Sequence, residues 1–201
     1  MTSKTTYHNI KTKLTDLLTE HYIAITAGLI ALTAITLWGM GQQLICSCGD
    51  VKLWHGALTE QSSQHLTDWF TLHHVLRGII TYGLLRYFTP SLSFGTAFVV
   101  AVSLEAAWEI IENSPWVIER YRDTANTDYT GDAVINSMSD IASMIVGYLF
   151  AYRSAWWASV LLGVAIEAFT LYMIHDSLLL NVIMLIYPFE AIREWQLAVW
   201  T

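Results

Sequence analysis

Glu105, Glu109 and Glu112 stand at i, i+4 and i+7, and Asp132, Asn136 and Asp140 at i, i+4 and i+8. On helices each set forms one polar stripe. Carboxylates, a carboxamide and the imidazoles of His73 and His74 are ligand types that suit Zn, Mn or Fe, and i, i+4 spacing lets one helix supply two ligands. The acids outnumber the bases: Arg77 cannot balance Glu105, Glu109, Glu112, Asp140 and Glu167 together. Bound divalent metal or retained protons must supply the difference. The expected metal set is His74, Glu109, Asp132, Asn136 and Asp140. Glu112 is the expected general base and Arg77 the group that would hold an anionic headgroup, with His175 and Asp176 completing the catalytic set. Trp108 and Trp116 read as packing and interface residues, and His8, His21 and His55 as surface or loop residues.

The elements that must position these groups are apolar. Hydrophobic residues make up 54% of the 201 residues and charged residues only 13%, with mean hydropathy +0.43. A net charge of -7 excludes the basic footprint of a nucleic-acid binder. The fold expected is an all-α integral membrane bundle. Stretches of about 20 mostly apolar residues suffice to cross a bilayer, and five occur, at 22–41, 70–88, 92–113, 133–152 and 154–174. The second carries His73, His74, Arg77 and Arg86 and is read as a span despite them. The uncharged segment 177–189 is a short sixth span, a re-entrant segment or an interfacial helix. Residues 1–21 are read as a cytoplasmic tail and 22–201 as one transmembrane domain.

Lys4, Lys11 and Lys13 place the tail inside by the positive-inside rule, and alternation then puts Arg86 and Arg153 inside and Lys52, Arg120 and Arg122 outside. The ionisable groups of four spans thereby gather in the outer half of the membrane. Counting about 1.5 Å per residue, Glu105 and Asp140 share a depth, and Glu109 is level with Asn136. Cys46 and Cys48 lie in the first outer loop as a vicinal-type disulfide, a pair of metal ligands or plain thiols, with His55 and His65 in the loop above the site.

The segments C-S-C-G-D-V-K-L-W-H-G (46–56), S-Q-H-L-T-D-W (63–69), E-A-A-W-E-I-I-E-N-S-P (105–115), Y-T-G-D-A-V-I-N-S-M-S-D (129–140), N-V-I-M-L-I-Y-P (181–188) and A-I-R-E-W-Q (191–196) carry a resemblance. Through them the chain resembles a family of uncharacterised multi-pass inner-membrane proteins of proteobacteria. It implies a bacterial inner-membrane location and no reaction. Where the family pattern has H-x-x-H-G and, after the fifth span, Arg-Asp, this chain has Arg77 and His175, an exchange that implies neighbouring positions.

The leading expectation is a metal-assisted hydrolase or transferase acting on a lipid or polyprenyl-phosphate at the outer leaflet, with membrane lipids as its surroundings. No G-x-S-x-G elbow and no H-E-x-x-H helix is present. A proton or metal-ion carrier is the alternative, and an accessory subunit of a larger complex the third reading. Below Glu105 and Asp140 the helices offer mainly apolar residues, which disfavours a path through to the cytoplasm.

Overall fold

A computed structural model describes residues 16–124 and 129–198. Most of the tail, with His8 and the three lysines used for orientation, lies outside the described residues. A helical stretch at 16–20 leads to α1 (Tyr22–Gly39). A long irregular loop then runs to α2 (Thr71–Phe88), followed by α3 (Phe94–Glu112), α4 (Pro115–Thr124), α5 (Val134–Arg153), α6 (Trp156–Ile174), α7 (Leu178–Ile186) and α8 (Glu190–Leu197). Among the described residues there is no strand, and one isolated bridge joins Trp54 to Thr67 in the loop. The expectation of an all-helical chain is met.

Five long helices form where five spans are expected, but among the described residues only four, α1, α3, α5 and α6, are long and apolar enough to cross a membrane. The correction concerns α2. Its two histidines and two arginines lower its hydropathy below that of a free-standing span, so it depends on neighbours to cover its polar face. Those neighbours are visible in the packing, where α2 and α5 form the most extensive helix pair.

That pairing rests on two glycines. A Cβ built on Gly78 would lie 2.0 Å from the Met144 carbonyl oxygen, and one on Gly147 would lie 1.9 Å from that of Val75. Each helix thus removes a side chain where the other's backbone passes, the small-residue contact that lets helices approach closely.

Local signals set the boundaries. Ser93 caps α3, its hydroxyl accepting from the Thr96 N–H at 3.2 Å. Pro115 opens α4, where its missing N–H costs nothing. His175 ends α6 in the left-handed conformation, φ 54°. Segment 177–189 becomes the nine-residue α7, about 14 Å long and too short to cross a bilayer. Its first amides return to α6: Glu167 accepts from Leu178 N–H at 2.8 Å and from Leu179 N–H at 3.3 Å. Glu167 lies seven residues before the end of α6, so the chain folds back about 10 Å along that helix before α7 begins.

The core sits at one end of the bundle. Phe98, Ala101 and Val102 of α3 meet Ile141, Met144 and Tyr148 of α5. These residues follow directly from Glu105 and Asp140 along their helices, away from the acidic end. Tyr22 closes the layer with edge-on contacts to Phe94 and Phe98, while Phe94 stacks on Phe98.

Candidate metal centre

The polar faces of α2, α3 and α5 meet at His74. Its Nδ1 donates to Glu105 Oε1 at 2.5 Å and lies 3.4 Å from Glu109 Oε1, while Nε2 is 3.7 Å from Asp140 Oδ2. One imidazole therefore spans from α3 to α5 and reaches both Glu105 and Asp140. Arg77, one turn along α2, donates to Glu105 at 3.0 Å and approaches Glu112 at 3.8 Å. Its guanidinium lies 4.4 Å from the centre of the Trp108 ring, whose indole N–H donates to Glu112. Trp108 is thus part of the site and not a packing residue alone; its i, i+4 relation to Glu112 was the available signal.

Glu109 is the exception in this network. It is 0% exposed, and neither carboxylate oxygen has a hydrogen-bond partner. Asp140 Oδ1 and Asn136 Oδ1 are likewise buried and unpartnered. These four atoms are acceptors that a cation or a proton satisfies and a further acceptor cannot; the neighbouring Ser137 hydroxyl and His73 Nε2, which can also donate, are buried without partners too. Ligand atoms of His74, Glu109 and Glu112 lie within 4.8 Å of one another, close enough to share an ion. Glu112, expected as a base, belongs to that group.

Asp132 holds a different place. Tyr129 donates to Oδ1 at 2.7 Å, Asn113 donates to Oδ2 at 3.4 Å, and the Asp132 N–H donates to Asn113 Oδ1 at 2.7 Å. Asn113 also donates to the Glu109 carbonyl at 2.9 Å, so it ties the end of α3 to the start of α5. Burial pushes the Asp132 carboxyl well above the usual carboxylate range, and the nearby Glu112 and Asp140 charges add to this. Burial likewise raises Tyr121 and Tyr129, which keep their protons.

Beside these groups is a cavity of about 70 Å³, bounded by His74, Glu112, Asp132 and Asp140 on one side and by Asp176, Asn181, Met184 and Gln196 on the other. That volume admits several water molecules or an ion with part of its shell. Tyr121 bridges the two walls, its hydroxyl 3.1 Å from both Glu112 Oε1 and Asn181 Oδ1. Sequence periodicity does not single out Tyr121, Tyr129, Asn181 or Gln196, since short elements and loops bring them in.

Asp176 lines the cavity, whereas His175 does not. The His175 ring stacks on Trp195 at 4.3 Å and its Nδ1 donates to the Trp195 carbonyl at 2.8 Å. Arg77 and His175 do not bond each other; their partners are separate sets. Asp68, ahead of α2, accepts from the amides of Ser63 at 2.6 Å and Phe70 at 2.8 Å and shapes the loop over the site.

Burial lifts Asp176 from the ordinary 3.8 to about 7; the Ser177 amide and Asn181 oppose this, the Glu167 charge adds to it, and Gln196 opposes it. A carboxyl with a raised folded pKa binds more protons in the native state, so its contribution to stability falls as pH rises between about 4 and about 7. Asp176→Asn is expected to remove that fall. Its thermal midpoint in detergent should match wild type near pH 4 and exceed it at about pH 8; a constant offset across the range would contradict this.

With this geometry in view, comparison with known proteins identifies the family. The profile described as Protein of unknown function (DUF2585) matches residues 37–198. The chain belongs to this family. Its relatives include UPF0314 proteins of Paracoccus denitrificans, 48% identical over 84% of this chain and 89% of that one, and of Sphingopyxis alaskensis, 46% identical over 86% and 93%. A UPF0314 protein of Brucella anthropi is 40% identical over 86% of this chain and 88% of its own length. The family is proteobacterial and has no assigned activity. No solved structure matches this chain.

Proposed function

We propose that this protein is a metal-assisted hydrolase or transferase of the bacterial inner membrane, acting on a lipid or polyprenyl-phosphate that reaches the cavity from the outer leaflet. The observation that carries the reading is Glu109, whose two buried carboxylate oxygens lack a hydrogen-bond partner and whose Oε1 lies 3.4 Å from an imidazole that also faces Asp140. An unpaired carboxylate in such a position is costly, and a divalent ion held by His74, Glu109 and Glu112, with Asp140 and Asn136 beside them, removes the cost. Zn, Mn or Fe suits this ligand set. Such an ion would polarise a phosphoryl or acyl oxygen and lower the pKa of water. Arg77, committed to Glu105 and Glu112, orients the carboxylates and does not bind the headgroup.

Exposed apolar side chains support the membrane setting. Leu32, Ile35, Val146, Leu161 and Val164 are each more than half exposed on long helices, which suits lipid better than water. The apolar layer from Phe98 to Tyr148 lies directly beneath the acidic groups and supports one-sided chemistry over a carrier's through path.

Elemental analysis of detergent-purified protein, without added metal or a chelating tag, tests the proposal. Wild type should carry close to one divalent ion per chain, and Glu109→Gln and Asp140→Asn should each lower the content at least about tenfold. Folded wild type without metal would overturn the metal centre and with it the proposed chemistry.

A further inference from the structure

The irregular loop between α1 and α2 holds a second group of metal-ligand side chains, which the acidic site does not use. Cys46 and Cys48 are disulfide-bonded, and a ring nitrogen of His65 lies with their sulfurs in a group whose atoms are all within 4.8 Å of one another. Around a tetrahedral ion at about 2.3 Å, ligand atoms stand roughly 3.7 Å apart, so once the S–S bond opens the two sulfurs separate and a small shift of the imidazole brings the three donors to one ion. The His55 ring follows at 4.9 Å from that of His65.

From these positions we infer that the loop is a redox-gated site for a thiophilic d10 cation, Zn(II) or Cu(I): closed as the disulfide and formed by Cys46, Cys48 and His65 on reduction. Thiolate sulfur with imidazole is the donor set that selects such ions over the hard cations suited to carboxylates.

Exposure arranges the chemistry. Cys48 is exposed, whereas Cys46 is 2% and His65 1% exposed. A thiol of an external dithiol attacks the Cys48 sulfur, and the Cys46 sulfur leaves as the thiolate, with the Cys48 N–H 3.2 Å away to receive its charge. The second thiol of the reductant then displaces the Cys48 sulfur. The dithiol becomes a disulfide, two electrons pass to the protein, and two thiols result; the cation displaces both thiol protons on binding.

The loop is also fastened in place. The His65 carbonyl accepts from the Asn136 amide at 2.8 Å, the Ser63 carbonyl from the Ala133 N–H at 3.0 Å and the Gln43 carbonyl from the Val134 N–H at 2.8 Å. Both arms of the loop are thus pinned to the first turn of α5, so the donors stay together when the S–S bond opens.

Co(II) is a probe that separates this site from the acidic one, because only thiolate ligation produces an intense near-ultraviolet charge-transfer band. Purified protein, reduced with a phosphine and then freed of it, should develop that band with one equivalent of Co(II) and lose it to one equivalent of Zn(II). Oxidised protein should show none. Cys48→Ser should abolish the band, and His65→Ala should shift it and weaken binding at least about tenfold. Bound Zn(II) should also protect the reduced wild-type thiols from alkylation. Absence of the band in reduced wild type, or thiols alkylated as fast with Zn(II) as without, overturns the site. Loss of metal from Glu109→Gln leaves these readouts unchanged, so the two sites fail separately.

Discussion

Gly147→Leu is expected to lose the native packing of α2 against α5. Even a single methyl at this position would stand 1.9 Å from the Val75 carbonyl oxygen and 2.8 Å from its carbon, both backbone atoms of a helix that cannot yield as a side chain does. Overpacking inside a tight core costs about 1–3 kcal/mol and occasionally more, and here the whole helix must move. Gly147→Ala should cost about 3 kcal/mol, a fall of roughly 6–12 °C in thermal midpoint for a chain of this size, and leucine should leave little folded protein. Gly83, on the same α2, has no atom within 4 Å of a built Cβ. Gly83→Ala should therefore be neutral or slightly stabilising, by about 1 kcal/mol at most. Equal midpoints for Gly147→Ala and Gly83→Ala would show that the two backbones do not approach as described.

Arg77→Met should destabilise by about 3–5 kcal/mol, the usual consequence of leaving the partner of a buried ion pair without its counter-charge. Glu105 loses a 3.0 Å hydrogen bond and Glu112 its ion-pair partner, while the Trp108 ring loses the guanidinium above it. The cost lies mainly in the stranded carboxylates, so neutralising one of them should restore stability. Arg77→Met combined with Glu105→Gln is expected to recover at least half of the loss, read as thermal or denaturant midpoints in one detergent. A double variant no better than Arg77→Met would show that the arginine acts through its stem and its packing on Trp108 instead.

The five long helices were legible because apolar runs of about 20 residues between charged or Pro-containing turns have few other structures open to them. The polar stripes were legible for the same geometric reason: Glu105, Glu109 and Glu112 do share a face, and that face does turn inward. Pairing was not legible. Whether His74 approaches Glu105 more closely than Asp140 depends on helix rotation by a few tens of degrees, which spacing leaves open. The second wall of the cavity was hidden for another reason. Asn181 and Gln196 sit on helices of nine and eight residues that are placed by long-range contacts, such as the Glu167 carboxylate on the first amides of α7. The span status of α2 was overstated because its composition is that of a helix meant to be surrounded.

The apolar layer formed by Phe98, Val102, Met144 and Tyr148 beneath the acidic groups gives the molecule the form of a well and not of a corridor. A well has one mouth. On the proposed function, a molecule that descended to His74 and Glu109 would leave by reversing its path, so entry and departure would compete for one opening, and a spent molecule that lingered there would bar the next.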